Sequence, residues 1–468
     1  RAVWVCLLGT FCRSWIQRSA SGAGLAASLA GGQRRSGQRQ FSGCMHCDAR
    51  VPAVEETGRA TTSTLLPAPS SLHITQCPRR PCRTTHHAGE RIMTVDHIPL
   101  VDLAAQHAEI ADDLMPELNR VLATASFVGG PDVAAFEAEY SEYCGVRHCV
   151  GLANGTDAVE LALRAVGVGP GDEVVIPANT FIATAEAVVR TGGRPVLADV
   201  DPDTLLLSPE QAARAVTSRT KAIVPVHLYG QIADMGSLAE VAADAGVAIV
   251  EDGAQSQGAT QQGRRSGSFG ALAATSFYPG KNLGAAGDAG AVTTNDPELA
   301  TAVRLLGNHG SRVKYLHEGI GFNSRLDTLQ AVVLRHKLRR LETWNARRRV
   351  LAARYSELLA DRGEVVLPVT RAGNEHVWHL YVVQVERRTQ VLQHLHEAGI
   401  GAGIHYPDPV HLTPAFRYLG YGPGDFPVSE HAAALILSLP LYPHLRDDQQ
   451  DRVVQELTRA VVGSPVRI

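Results

Sequence analysis

The chain has 468 residues, of which 45% are hydrophobic and 19% charged, and its formal net charge is −3. These values fit a globular protein with room for more than one domain, and the slightly acidic balance argues against nucleic acid as the main partner. No apolar run approaches the roughly 20 residues that span a bilayer, so no membrane partner is expected.

The first 92 residues stand apart. They hold 12 Arg, no Lys and 4 acidic residues, a balance of +8 against −11 for the remainder. Six of the eight cysteines also lie there (Cys6, Cys12, Cys44, Cys47, Cys77, Cys82), leaving only Cys144 and Cys149 in the body. Two cysteines make no disulfide framework and fit a reducing cytoplasm. The segment has no hydrophobic periodicity. A transit peptide would explain its Arg and Ser content. A metal site would need a second pair to match Cys44-x-x-Cys47, and none is present, so no metal is expected. The favoured reading of 1–92 is a disordered or spurious leader. Patterned sequence begins after Met93, at Ile98-Pro-Leu-Val-Asp-Leu.

Beyond Gly130, helical and extended patterns alternate. A helix near Val133–Tyr143 precedes the strand Cys149-Val-Gly-Leu. Asn154-Gly-Thr-Asp opens a helix over Ala158–Val166, and Glu173-Val-Val-Ile-Pro is a buried strand. Phe181–Arg190 reads as a helix, Arg194–Val200 as a strand, Pro209–Val216 as a helix and Ala222–His227 as a strand. The helix Leu238–Ala245 leads into Val247-Ala-Ile-Val, which ends at Glu251-Asp252. Short apolar strands separated by helices predict an α/β fold with a mostly parallel sheet covered on both faces. A long helical run over Leu326–Leu359 follows, charged on one side through Arg335, Lys337, Arg339 and Arg340. It leads to a smaller α+β domain with a strand Leu380–Val385, a helix Gln390–Ala398 and a last helix near Asp447–Val461. The expected division is therefore a large domain over 93–340 and a small C-terminal domain over 341–468.

Ligands of such sheets bind at the carboxyl ends of the strands, where the polar motifs of this sequence fall. The whole chain has four lysines: Lys221, Lys281, Lys314 and Lys337. Lys281 sits in Ser276-Phe-Tyr-Pro-Gly-Lys-Asn-Leu-Gly, between an apolar strand and a Gly-rich loop. Arginine cannot replace a lysine that must lose its proton and attack a carbonyl. Asp252 ends a strand, where a carboxylate can keep a pyridinium nitrogen protonated, although an N-cap is an equal reading of that residue alone. Gln255 follows three residues on. Asn154-Gly-Thr-Asp suits a phosphate at a helix N-terminus through Gly155 and Thr156, although plain capping explains it as well. Ser276 offers that phosphate a hydroxyl. Phe181 offers a flat ring just past a strand end, where core packing is the commoner use.

Together these motifs resemble the DegT/DnrJ/EryC1/StrS sugar aminotransferases, pyridoxal 5′-phosphate (PLP) enzymes of fold type I, the aspartate aminotransferase-like fold. The resemblance runs from about Ile98 to the C-terminus. It rests on Ala153-Asn-Gly-Thr-Asp-Ala, Pro177-Ala-Asn-Thr-Phe-Ile-Ala, Pro225-Val-His-Leu-Tyr-Gly-Gln, Glu251-Asp-Gly-Ala-Gln-Ser, the Lys281 loop, Gly321-Phe-Asn-Ser-Arg-Leu-Asp and His405-Tyr-Pro.

The resemblance implies that Lys281 bonds the cofactor covalently and then acts as general base, while Asp252 pairs with the pyridine nitrogen. Gln255 would bond the ring oxygen, Phe181 would stack on the ring, and Gly155, Thr156 and Ser276 would hold the phosphate. Asn323 would reach the phosphate of a neighbouring subunit, which implies a homodimer with shared active sites. Tyr315, Arg325, His405 and Tyr406 are candidate contacts to a nucleotide sugar. The implied reaction moves an amino group from an amino acid, L-glutamate, to a nucleotide-linked keto-deoxy sugar. The text is closest to enzymes that aminate C3 of a dTDP-3-keto-6-deoxyhexose for antibiotic or polysaccharide biosynthesis. Amination at C4, amination of a keto-inositol and a non-catalytic PLP-binding regulator are the alternatives. Gly253 replaces a usual Ala, Gln257 a frequent His, and His309 a frequent Tyr; the last two are expected near the sugar.

Overall fold

Apolar runs of four or five residues build the central sheet of the computed structural model, which describes residues 97–462. The cysteine- and arginine-rich segment read as a leader lies outside the described residues. The strands are β1 (His148–Leu152), β2 (Glu173–Pro177), β3 (Arg194–Ala198), β4 (Thr220–Ile223), β5 (Ala248–Asp252), β6 (Leu272–Ser276) and β7 (Gly290–Thr294). They lie in the order β1-β7-β6-β5-β4-β2-β3. Neighbours pair in parallel except at β7, which runs antiparallel to both β1 and β6.

The helices are α1 (Leu103–Ala108), α2 (Ala111–Thr124), α3 (Pro131–Cys144), α4 (Gly155–Ala165), α5 (Ile182–Thr191), α6 (Pro209–Ala215), α7 (Met235–Ala245), α8 (Pro297–Gly307) and α9 (Thr328–Leu359). They are followed by α10 (Arg388–Glu397), α11 (Pro427–Leu435) and α12 (Asp447–Val462). Val174 and Ile176 of β2 enter one apolar core and Val175 enters another, so the sheet is buried on both faces. This is the α/β, mostly parallel architecture that the pattern predicts.

The extended run Ala222–His227 pairs regularly only to Ile223. Pro225 has no N–H to give to a ladder, which limits regular pairing. One bridge, Val226 to Asp252, survives beyond it.

A second, antiparallel sheet consists of β8 (Val365–Val366), β9 (Tyr381–Val385) and β10 (Ile436–Leu439). α10 and α12 pack with it around a third core that includes Val383, Leu395 and Leu457. Helix α9 runs unbroken through residue 340 and spans roughly 48 Å at 1.5 Å per residue. It serves both sheets. Asn345 donates to the Gln257 carbonyl at 2.9 Å, and Arg348 donates to the Leu441 carbonyl at 2.8 Å.

One residue of the charged side of α9 is misplaced by the periodicity. Lys337 is 3% exposed, with Nζ 3.5 Å from Gln106 Oε1. Burial without a carboxylate partner pushes its amine down to about 8.

Candidate active site

The ends of β5 and β6 and the starts of α4 and α5 meet at a cavity of about 440 Å³. Lys281 and Asp252 both line it. Asp252 is the last residue of β5 and is 5% exposed. Its Oδ2 accepts from Thr184 Oγ1 at 2.8 Å and its Oδ1 from the Ala254 amide at 3.1 Å. The carboxylate is thereby held in one orientation from two sides.

Lys281 stands on the loop after β6, whose next residue is the anchor Phe277. That ring is fully buried and meets Phe136 and Tyr140 edge-on, at centroid distances of 5.4 and 5.2 Å. Its burial contributes about 2–3 kcal/mol to holding the loop down. The Lys281 amide donates to the Tyr278 carbonyl at 2.8 Å, closing a turn. Burial pushes the Lys281 amine down to about 8, against the opposing pull of the Asp252 charge. A substantial neutral fraction near neutral pH is what an amine nucleophile or base requires.

The anion-binding end is built by α4. Asn154 caps the helix, its Oδ1 accepting from the Asp157 amide at 2.8 Å. The amides of Gly155 and Thr156 come first in the helix and have no intrahelical acceptor. Ser276 faces them so closely that a Cβ on Gly155 would lie 2.4 Å from the Ser276 Cβ. Only glycine leaves this cleft open. A dianion there would meet the helix dipole, two amides and a hydroxyl.

At the other end, Phe181 is 49% exposed at the N-cap of α5, with its ring 5.1 Å from that of Tyr406. Gln255 donates to the Tyr406 hydroxyl at 3.2 Å and accepts from the Tyr229 amide at 2.6 Å. His405 shares the wall, its Nδ1 2.8 Å from Ser438 Oγ. Burial and then the Lys281 charge push the His405 imidazole down to about 4.

Nine residues singled out in the sequence thus line one cavity: Gly155, Thr156, Phe181, Asp252, Gln255, Ser276, Lys281, His405 and Tyr406. Three do not. Asn323 and Arg325 bond each other at 2.8 Å beside Asn308, and Tyr315 is 82% exposed on the hairpin over 311–317. Nor do the two departures expected near the sugar line it. Gln257 is 2% exposed, and its Nε2 donates to the carbonyls of Ala254 and Ser276 behind the site. His309 belongs to the Asn308 turn, its carbonyl 2.8 Å from His317 Nδ1.

Some polar residues of the site carried no sequence signal. Thr184 looks like an ordinary residue of α5, and His379 lies within the apolar run Val377–Val383. Glu251 looks like a solvent carboxylate, yet it is fully buried. It accepts from the amides of Gly267, Phe269 and Gly270 and lies 3.0 Å from His227 Nε2. Burial pushes this carboxyl up, but the His227 bond and the amides of Gly270 and Gly267 outweigh it and leave it below the ordinary value. The Ala233 amide donates to His227 Nδ1 at 3.2 Å, so His227 Nε2 carries the proton that Glu251 accepts.

The DegT/DnrJ/EryC1/StrS aminotransferase family model matches residues 108–458. The chain is 49% identical over 360 residues to the erythromycin biosynthesis sensory transduction protein EryC1 of Saccharopolyspora erythraea, covering 77% of this chain and 98% of that protein. It is 48% identical over 359 residues to the dTDP-3-amino-3,4,6-trideoxy-alpha-D-glucose transaminase of Streptomyces venezuelae, covering 76% and 94% of the two chains. The crystal structure of S. venezuelae DesV in complex with a ketimine intermediate superposes with a TM-score of 0.77 at 46% identity. That match covers 79% of this chain and all of the other.

Proposed function

Since the chain belongs to the DegT/DnrJ/EryC1/StrS aminotransferase family, we propose that it transfers an amino group from an amino acid, L-glutamate, to C3 of a dTDP-linked 3-keto-6-deoxyhexose, with PLP as cofactor. The observation that carries this reading is one cavity holding Lys281, Asp252 and a glycine-floored anion cleft. Relatives named for transfer at C3 of dTDP sugars support the position.

The donor set fits PLP, because the cleft at Gly155 and Ser276 suits a phosphate dianion and Asp252 suits a protonated ring nitrogen. When bound, the cofactor supplies an aldehyde that condenses with amines and a ring that takes up electrons from the carbon beside the nitrogen. Lys281 Nζ, with its lowered proton affinity, is the amine that would hold the cofactor's aldehyde end and would serve as the base for the Cα proton when free. Asp252, fixed by Thr184 and the Ala254 amide, would keep a proton on the ring nitrogen. Gly155, Thr156 and Ser276 would hold the phosphate, Phe181 would face the ring and Gln255 its oxygen. Tyr406 and His405, on the wall of the same cavity, would meet the substrate.

Asn323, Tyr315 and Arg325 are outside the cavity of their own chain, which suits a role in the neighbouring active site of a homodimer, Asn323 at the phosphate and the other two at the nucleotide sugar. The reaction needs no membrane, and among the described residues no helix is long and apolar enough to cross one. A cytoplasmic enzyme with nucleotide-sugar and amino-acid substrates is the consistent reading.

The test is a half-reaction followed by visible absorbance. Wild-type protein reconstituted with PLP is expected to develop the lysine-bound cofactor band and to lose it on addition of L-glutamate. Lys281→Ala is expected never to show the band. Nucleotide-linked 3-keto and 4-keto sugars are then compared as acceptors. A wild type that binds no PLP would overturn the function, and turnover confined to 4-keto sugars would overturn the position.

A further inference from the structure

We propose that Nε2 of His379 is the acceptor that holds Lys281 Nζ whenever that amine is free, which makes His379 a positioning residue. The proposal rests on the reading of Lys281 as the reactive amine.

The protonation of His379 follows from groups whose roles are fixed. A carbonyl can only accept, so Asn345 turns Nδ2 to the Gln257 carbonyl, at 2.9 Å, and presents Oδ1 on its other side. Asn282 Nδ2 donates to that oxygen at 2.8 Å and to the Val377 carbonyl at 2.9 Å. Asn282 Oδ1 is therefore the atom facing His379 Nδ1, at 3.2 Å, and it can only accept. The proton lies on Nδ1. Burial, and then the charge of Lys281, hold the imidazole neutral. Nε2 is left with a lone pair.

That lone pair belongs to a ring that is 9% exposed and lines the cavity of Lys281. No hydrogen-bond donor meets it among the described residues, and Lys281 Nζ likewise has no hydrogen-bond partner among them. An unmet acceptor and an unmet three-proton donor share one enclosure, and the lysine has four rotatable bonds with which to reach. His405 is a weaker choice, since Ser438 Oγ can donate to its Nδ1 or accept from it, which leaves its tautomer open.

The backbone around His379 is tightly held. Trp378 has φ of 49°, rare for a bulky side chain, and Arg348 donates to its carbonyl at 3.1 Å. Gly230 lies so close that a Cβ there would be 2.8 Å from the His379 amide nitrogen. The other charged or titratable groups facing the pair are Asp252 from β5, Arg348 from α9, Tyr278 and Asp288 from the segments flanking Lys281, and His376, His405 and Tyr406 from the C-terminal segments.

Competitive acetylation with acetic anhydride across pH, read peptide by peptide, tests this on the full-length chain freed of bound small molecules. With four lysines in the sequence, each is resolved. Lys281 in wild type is expected to half-titrate above about 8, the value to which burial and Asp252 alone bring it. His379→Gln keeps an acceptor at the Nε2 position and should leave that value in place. His379→Phe should lower it by about one unit, a tenfold loss of proton affinity. An unchanged Lys281 value in His379→Phe would sink the proposal.

Lys337 is the internal control, because unfolding would return it to the ordinary lysine value of 10.5. If His379→Phe unfolds, ¹⁵N-histidine spectra of wild type and Lys281→Met decide instead. A proton on Nδ1 and an Nε2 signal that moves in Lys281→Met support the proposal, and a proton on Nε2 or an unmoved signal overturns it. PLP binding plays no part in either measurement, so a failure of the cofactor reading would show separately, in the absorbance experiment.

Discussion

Thr184 gives its hydroxyl proton to Oδ2 of Asp252 across 2.8 Å, from a helix to the end of a strand 68 residues later. Thr184 Oγ1 is also 3.0 Å from Thr180 Oγ1, so Thr180 donates into the same chain. Thr184→Val keeps the shape and removes one charge-assisted hydrogen bond. The expected result is a fall of about tenfold in kcat/KM, equivalent to about 1.4 kcal/mol. Thr184→Ser should restore most of the loss. Steady-state kinetics of the three proteins check it.

Gly155→Ala brings a methyl group to 2.4 Å from the Ser276 Cβ and must displace one wall of the anion cleft. Cofactor affinity, followed by absorbance titration, should weaken by more than about tenfold, the effect of losing roughly one charge-assisted hydrogen bond. Inorganic phosphate is expected to compete for the cleft in wild type and to lose that ability in Gly155→Ala.

Glu251→Gln turns an NH2 either to the Gly267 amide and His227 Nε2 or to the Phe269 and Gly270 amides, so that two buried donors lose their acceptor whichever way it faces. A loss of about 3 kcal/mol in unfolding free energy is expected, read by denaturant titration. The folded carboxyl lies below its ordinary value, so its contribution is present above that value and disappears as pH falls through the lower, folded one. The difference between wild type and Glu251→Gln should therefore shrink in acid.

Lys337→Met should raise stability at neutral pH by about 1–3 kcal/mol, because a buried amine without a carboxylate gives way to an apolar chain of similar length. The unfolded chain binds more protons than the folded one between about pH 8 and 10.5, so wild type gains stability with rising pH across that window. The advantage of Met should fade over the same window. Thermal melts of both proteins at pH 7 and 10 check the sign.

The alternation of short apolar strands with helices was legible because residues buried on both faces must be uniformly apolar, as Val174, Val175 and Ile176 are. Lys281 was legible because lysine is scarce in this chain and its loop is rich in glycine. The antiparallel β7 escaped notice because Gly290-Ala-Val-Thr-Thr follows a glycine-rich stretch and reads as more of it. β10 escaped because it follows α11 without a turn signal. His379 and Thr184 escaped because nothing in a linear pattern separates a polar residue facing a cavity from one facing solvent. Only the meeting of distant segments, such as Asn282 with Asn345 and Val377, gives them roles.

Helix α9 ties the two halves of the body together through side chains one turn apart: Asn345 holds the Gln257 carbonyl and Arg348 the backbone at Trp378 and Leu441. Each residue added to a helix rotates everything after it by about 100°. A single insertion between Asn345 and Arg348 would turn one of these side chains away from its carbonyl while the other stays in place. The spacing along this rod is therefore frozen. Hybrids that exchange the C-terminal part for that of a relative should be joined beyond Leu359 or before Thr328, where a change of length is absorbed by a loop.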